Sequence, residues 1–261
     1  FNSVRFFVGF LAIIPLALLF ETRNLKKEFS LDKKTFIILS FLIGVSLFLG
    51  SALQQVALLY TDVANAAFFT IFYVPMVPII IFIFKKDFLH WSVWPSVILC
   101  LIGGYLLTNF QDATVRLGDT LVVLGALFWS THIIFTGMII KKYNLPLTIG
   151  AIQTLLVALF SFIIGLFSEE FVIDNILNEI DSILYAGILS GGFAFVLQIY
   201  AQRNITPAPA AIIFSLEGVF ATIAAWFLLN QILGINNLLG CFFILSGVLL
   251  SQLVPLIKKS N

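Results

Sequence analysis

The sequence predicts an all-α, polytopic membrane protein of nine closely spaced transmembrane helices, and three observations predict it. Apolar residues make up 61% of the 261-residue chain, while Asp, Glu, Lys and Arg make up only 10%; soluble domains run at about 45–50% and about 25%. Runs close to the ~20 mostly apolar residues a helix needs to cross a ~30 Å hydrocarbon layer recur from end to end. Those runs are continuous, which excludes the ~10-residue alternating segments of a transmembrane barrel.

The nine predicted spans follow one another with short polar joints. They are Val4 to Phe20, Thr35 to Tyr60, Ala64 to Phe84, Ser92 to Asn109, Asp119 to Ile139, Thr148 to Phe167, Ser182 to Ala201, Ala208 to Leu229 and Ile235 to Leu256. Pro207 and Pro209 open the eighth span, where proline is ordinary. Pro75 and Pro78 instead interrupt the third near its centre, freeing backbone carbonyls that either meet a water-filled space or are filled by neighbours in a static bend. Cys100 and Cys241 lie inside apolar spans without metal-ligand spacing and read as small packing residues. The net charge of +1 gives no reason to expect a nucleic-acid partner.

The position of the basic residues sets the orientation, because short loops rich in Lys and Arg stay on the cytoplasmic side. Arg23, Lys26, Lys27, Lys33 and Lys34 fall between spans one and two, Lys85 and Lys86 between three and four, and Lys141 and Lys142 between five and six. Arg203 follows span seven and Lys258 and Lys259 follow span nine, whereas the other side holds only Arg5 and Arg116. The loop after span six carries Glu169, Glu170, Asp174, Glu179 and Asp181 and no basic residue, in keeping with an outer position. The C-terminus is therefore expected in the cytoplasm.

Shifted by 144 residues, the sequence matches itself at Leu53/Leu197, Gln54/Gln198, Ala57/Ala201, Ala64/Ala208, Ala66/Ala210, Gly103/Gly247 and Leu106/Leu250, among others. Spans two to four thus map without a gap onto seven to nine. Five spans separate each from its mate, and an odd separation means the copies cross the membrane in opposite senses, as the inverted repeats of secondary transporters do. Span six would match span one, with Arg5 opposite Gln153 under a slightly different offset, and span five has no mate. The expectation is a first repeat over 1–110 that lacks its first helix, and a second repeat over 119–257.

This pattern resembles the drug/metabolite transporter superfamily, in its EamA-type branch. The residues that carry the resemblance are the opening Phe1-Asn2-Ser3-Val4-Arg5-Phe6, the run Tyr60-Thr61-Asp62-Val63-Ala64-Asn65-Ala66-Ala67, Gly125-Ala126-Leu127-Phe128-Trp129-Ser130, Ser215-Leu216-Glu217-Gly218-Val219, and Leu239-Gly240 through Ser246-Gly247-Val248-Leu249-Leu250. Two departures are visible: Gly218 stands where the family often has Pro, and Asn230-Gln231 where it often has a further Glu. The resemblance implies ten helices around a central cavity, no ATPase module, and outward movement of amino acids or related small metabolites across a bacterial inner membrane.

Six residues are expected to carry function. A charge at the bilayer centre costs about 2.5–3.5 kcal/mol on insertion scales, so Glu217, the one acid deep in a span, is a protonatable or cation-meeting group, or else a neutral acid that ties helices together. Its mate at the 144-residue offset is Tyr73, and the two are expected to face one cavity, with Gln54 and Gln198 as a second pair or as interhelical glue worth about 0.6 kcal/mol each. Trp129 sits mid-span, where tryptophan is unusual, and its face could hold a substrate cation or ring. His132, beside Ser130 and Thr131, either titrates near neutral pH or is a ring bonded into the bundle, and the second reading is preferred.

Gly240 and Gly247, with their mates Ser96 and Gly103, offer close helix contacts within the chain or with a second copy, as a homodimer would need. No nucleophile elbow, paired intramembrane carboxylates, Cys/His cluster or phosphate loop is present, so neither an enzyme nor a cofactor is expected. The leading expectation is an alternating-access exporter with a small-molecule substrate in a lipid bilayer, with protons as a candidate coupling ion. The rivals are a membrane scaffold or sensor and a passive pore.

Overall fold

The computed structural model describes residues 1–85, 89–108, 116–168 and 173–257, and every element among them is helical. In chain order these are α1 (Asn2–Phe20), α2 (Thr22–Leu31), α3 (Lys33–Ala57), α4 (Val63–Thr70), α5 (Tyr73–Lys85), α6 (Val93–Thr108), α7 (Leu117–Tyr143), α8 (Pro146–Ser168), α9 (Ile173–Asn178) and α10 (Ile180–Tyr185). A π-helical segment (Ala186–Ala194) then leads to α11 (Phe195–Ala201), α12 (Pro207–Phe214), α13 (Leu216–Leu229) and α14 (Ile235–Ile257). Lys86, Glu169, Glu170, Lys258, Lys259 and the predicted span end at Asn109 lie outside the described residues.

Among the described residues, eight helical stretches are long and apolar enough to span a bilayer, and α6 is a further, shorter apolar helix. The sequence predicted 18 residues for α6; it has 16 described, about 24 Å at 1.5 Å per residue. The predicted loop between spans one and two is helical too, because Thr22–Leu31 contains neither glycine nor proline and α2 follows α1 almost without pause.

Two compact units can be distinguished. The first comprises residues 1–52 and 135–205, the second residues 53–134 and 206–261, so the division falls within α3 and within α7. In the first unit α1 packs on α8 and on the π-helical segment. That approach needs glycine: a Cβ on Gly9 would stand 2.9 Å from the Gly187 carbonyl oxygen, and one on Gly187 would stand 2.7 Å from that of Arg5. A buried cluster of Phe36, Ile43, Ile139, Tyr143, Leu145 and Ile149 holds the opposite part of this unit.

Two polar contacts fix the first unit's helix ends. Pro146 opens α8, leaving the N–H groups of Leu147 and Thr148 without intrahelical acceptors. Both donate instead to Glu21, at 3.0 and 2.7 Å, across 126 and 127 residues of sequence. The carboxylate also complements the positive end of the helix dipole. Replacing Glu21 by Ala should cost about 1–2 kcal/mol. Hydrogen exchange at the Leu147 and Thr148 amides should then accelerate, and unchanged exchange there would show that the cap is dispensable.

In the second unit α6 lies along α14, and their small residues meet. A Cβ on Gly103 would come within 2.7 Å of the Gly240 carbonyl oxygen, and one on Gly247 within 2.8 Å of that of Ser96. Backbone therefore touches backbone along this pair, the packing lipid favours because it supplies no hydrophobic drive between helices. These faces are spent within the chain, so a second copy would have to use another surface.

Two predicted spans are broken rather than continuous. The third divides into α4 and α5 at Ile71-Phe72, and the eighth into α12 and α13 at Ser215. The first break lies four residues before Pro75, where a proline ring displaces the carbonyl of the residue four earlier. Pro75 and Pro78 then sit inside α5, with Pro75 in its first turn, where a missing N–H costs nothing. The third span is thus interrupted near its centre as expected, with the break on the N-terminal side of the prolines. The second break has no such proline, since Val219 stands at the corresponding position.

The two breaks match at the 144-residue offset. Asp62 and Thr206 precede their helices with φ −76° and ψ 151° and 154°, and Ile71 and Ser215 end them with φ −59° and −61°, both with ψ −15°. The bonds Leu58 N to Gln54 O, Ala66 N to Asp62 O, Ile71 N to Phe68 O and Val74 N to Ile71 O recur as Gln202 N to Gln198 O, Ala210 N to Thr206 O, Ser215 N to Ile212 O and Gly218 N to Ser215 O.

Candidate functional site

Five of the six predicted site residues, Gln54, Tyr73, Trp129, His132 and Glu217, belong to the second unit, and Gln198 belongs to the first. Within the second unit Gln54, Tyr73 and Glu217 stand at the two helix breaks, and Trp129 packs on the core that contains Tyr73. Gln54, half-buried near the end of α3, donates from Nε2 to Thr70 Oγ1 at 3.3 Å, and Thr70 in turn donates to the Ala66 carbonyl at 2.7 Å. Thr70 is the last residue of α4, so Gln54 braces the helix where it stops.

Tyr73 opens α5 immediately after the break and is only 6% exposed. It packs in a core with Val74, Val77, Val97, Cys100 and Ile212, against which Trp129 also rests. Ser130 Oγ donates to the Ala126 carbonyl at 2.7 Å and reaches the Tyr73 carbonyl at 3.4 Å, tying α7 to the start of α5. Across the second break, Ser215 Oγ donates to the Ile212 carbonyl at 2.6 Å and lies 3.3 Å from Cys100 Sγ. That contact gives Cys100 a place in the packing of the break.

Glu217 stands in the first turn of α13, two residues past the break, with an exposed side chain. It lies within electrostatic reach of the Tyr73 phenol. A carboxylate in the first turn is favoured by the partial positive charge at a helix start, which softens the penalty of holding an acid inside a span. Tyr73 and Glu217, equivalent at the 144-residue offset, therefore share one unit; the tyrosine is enclosed and the glutamate open.

Trp129 and His132 meet edge to face, with ring centroids 6.1 Å apart and planes at 88°. Trp129 is half-buried and His132 fully buried, at 0% exposure. The indole in turn packs against the core that contains Tyr73. Gln198, on α11, is half-buried in the first unit, where its carbonyl accepts the Gln202 N–H at 3.1 Å.

The sequence did not single out Thr70, Ser215 or the polar group at the start of α7. There Asp119, 1% exposed, accepts bonds from the Thr61 hydroxyl and, at 2.8 Å, from the Arg116 N–H, while Arg116 pairs with Asp62 at 2.5 Å. The signal was present in the run Tyr60-Thr61-Asp62 and in Arg116 to Asp119, but only the fold brings the two together. Among the described residues, no group of three or more His, Cys, Asp or Glu side chains could hold a metal ion.

Comparison with known proteins places this geometry in context. Residues 116–253 match the model of the EamA-like transporter family. An uncharacterized transporter of Archaeoglobus fulgidus is 30% identical over 259 residues, covering 97% of this chain and 76% of that protein. The uncharacterized transporter YoaV of Bacillus subtilis is 24% identical over 96% of this chain and 86% of its own length. The Arabidopsis thaliana protein WALLS ARE THIN 1 is 26% identical over 61% of this chain and 40% of its own. A solved crystal structure of a protein 15% identical in sequence superposes with a TM-score of 0.80, covering all of this chain and 88% of that one, a likeness of fold.

Proposed function

The chain belongs to the EamA-like transporter family and is an integral membrane transporter of a small molecule, and from this premise we propose that it is a secondary transporter that exports amino acids or related small polar metabolites by alternating access. The observation that carries the reading is the pair of matched helix breaks, Ile71-Phe72 and Ser215, each followed within two residues by a polar side chain, Tyr73 and Glu217. Secondary transporters place their sites near the bilayer midplane on discontinuous helices whose half-helix starts point at the ligand. A second repeat over 119–257 running opposite to a first over 1–110 accounts for the 144-residue match.

Within this reading Glu217 is the group that gains and loses charge. In a span a carboxylate is held at a cost of several kcal/mol unless a proton or a cation neutralises it. Exchange of a proton for the ammonium of an amino-acid-like substrate at this carboxyl couples export to the proton gradient. Gln54 and Tyr73 frame the first break, Trp129 supplies an aromatic face, Gln198 is the counterpart of Gln54, and His132 supports Trp129. The chain sits in a bacterial inner membrane with its C-terminus in the cytoplasm, as the distribution of Lys and Arg favours. Its chemistry is movement rather than catalysis.

An efflux screen of the full-length protein tests this directly. Cells overproducing it should tolerate elevated levels of at least one amino acid or related polar metabolite and release it faster than control cells. A panel spanning the amino acids and their analogues with no difference in tolerance or release would remove the proposed substrate class.

A further inference from the structure

We propose that Arg5 and Asn2, in the first turns of α1, hold the carboxylate and the ammonium of an α-amino-acid zwitterion. The inference takes its solute class from the proposed function and adds residues that recognise it, both of them in the first unit. Asn2 and Arg5 are three positions apart in α1 and so lie on one face of the helix. In the orientation that the basic residues favour, this is the end of α1 that meets the outer surface of the membrane.

The two side chains present complementary atoms. Arg5 Nε, a donor, and Asn2 Oδ1, an acceptor, are both buried, and neither has a hydrogen-bond partner among the described residues. Taking part of a guanidinium out of water without an acceptor is costly, so the orphaned pair calls for an explanation. The cation is nevertheless held in place: its guanidinium carbon stands 4.7 Å from the centre of the Phe6 ring and 5.6 Å from that of Phe1. Phe6 is 1% exposed and packs in turn on Phe195, with ring centroids 6.2 Å apart, so the platform beneath the cation belongs to the core of the unit. Arg5 as a whole is only half-buried, which leaves its planar fork of N–H groups within reach of a solute.

The neighbouring helix α8 adds a third such group. Ser3 Oγ donates to the Ala158 carbonyl at 3.1 Å, which sets the level of α8 against α1. Ser161 stands one turn further out on the same face of α8, and its buried hydroxyl also lacks a partner among the described residues. No carboxylate of the described residues forms an ion pair with Arg5; Asp174, Glu179 and Asp181, which follow α8, are exposed. Glu169 and Glu170 lie outside the described residues and are therefore included in the test. The fork of an arginine matches a carboxylate, and an asparagine oxygen accepts from an ammonium. A lipid phosphate alone would satisfy Arg5 but would bring no donor to Asn2 Oδ1, whereas an α-amino acid carries both groups on adjacent atoms.

Thermal unfolding of the purified full-length protein in neutral detergent tests this, with each proteinogenic amino acid and its α-carboxamide as probes. At least one amino acid, at about tenfold its dissociation constant, should raise the unfolding temperature by about 3 °C. Its carboxamide, which keeps the ammonium and lacks the carboxylate, should not. Arg5→Gln should abolish the rise, Arg5→Lys should retain part of it, and Asn2→Ala should reduce it. Glu169→Gln combined with Glu170→Gln should leave the rise intact. No rise with any amino acid, an equal rise with acid and carboxamide, or an undiminished rise in Arg5→Gln would overturn the proposal. A loss of stability in Arg5→Gln that the Glu169 and Glu170 substitutions cancel would identify an ion pair within the chain and would equally overturn it. So would an Arg5-dependent rise given by phosphatidylglycerol and by no amino acid, which would assign the arginine to lipid. If Arg5→Gln does not fold, the comparison of acid with carboxamide in the unmodified protein and in Arg5→Lys decides. An Arg5-dependent rise without solute release in the efflux screen would uphold this inference and remove the transport reading, and release without a rise would do the reverse.

Discussion

Replacing Glu217 by Gln should lower the rate of solute export at least tenfold and remove its dependence on external pH, while the amount of folded protein in the membrane stays the same. The substitution keeps shape and removes charge. The side chain is exposed, and its neighbours Ser215 and Val219 make the buried contacts of this turn, so the amide disturbs little packing. What it does remove is the carboxyl that, in the proposed reading, exchanges a proton for a substrate cation. A tenfold loss corresponds to about 1.4 kcal/mol of barrier, within what one charge-assisted contact contributes. Efflux rates measured over a range of external pH decide the matter: a glutamine variant with the original rate and pH profile would leave Glu217 as a structural side chain.

A second large effect is expected in the pair α6 and α14. Gly103→Val would drive a Cβ to 2.6 Å from Ile244 Cγ1 and 2.7 Å from the Gly240 carbonyl oxygen, and Gly240→Val would meet the Gly103 carbonyl oxygen at 2.7 Å. Backbone cannot yield as a flexible side chain can, so the two helices must part. Overpacking of this kind costs about 1–3 kcal/mol in a soluble core, and in lipid no hydrophobic drive pushes separated helices back together. Either variant should lose most of its monodisperse peak in fluorescence-detected size-exclusion chromatography. Gly165→Val is the control, because nothing stands within 4 Å of a Cβ there, and it should leave the peak intact. Equal loss at Gly165 and Gly103 would show that the effect is not one of helix approach.

The sequence disclosed the spans because bilayer thickness imposes a length and a composition that few other constraints mimic. It disclosed Pro75 as well, but the break fell at Ile71-Phe72, since a proline acts on the carbonyl four residues before it. The break at Ser215 was not legible, because Val219 replaces the proline and the hydroxyl of Ser215, bonded to the Ile212 carbonyl, reads in sequence as one more small residue. Contacts distant in sequence were equally out of reach. Nothing in the composition around Glu21 says that it caps a helix 126 residues away, and nothing around Gln54 names Thr70 as its partner. His132 itself is completely buried. Among the site residues the sequence pointed to polar atoms in an apolar background; the fold added that Gln54, Tyr73 and Glu217 stand at two matched discontinuities.

Counterflow in proteoliposomes tests the central claim most directly. Vesicles containing the purified full-length protein are preloaded with a high concentration of an unlabelled substrate from the efflux screen and diluted into a trace of the labelled form. A carrier that alternates access exchanges one for the other, so label should accumulate transiently above its equilibrium level, and Glu217→Gln should suppress the overshoot. Label that merely equilibrates without overshoot would identify a pore, and label that never enters would identify a membrane protein that carries nothing; either result would contradict the account.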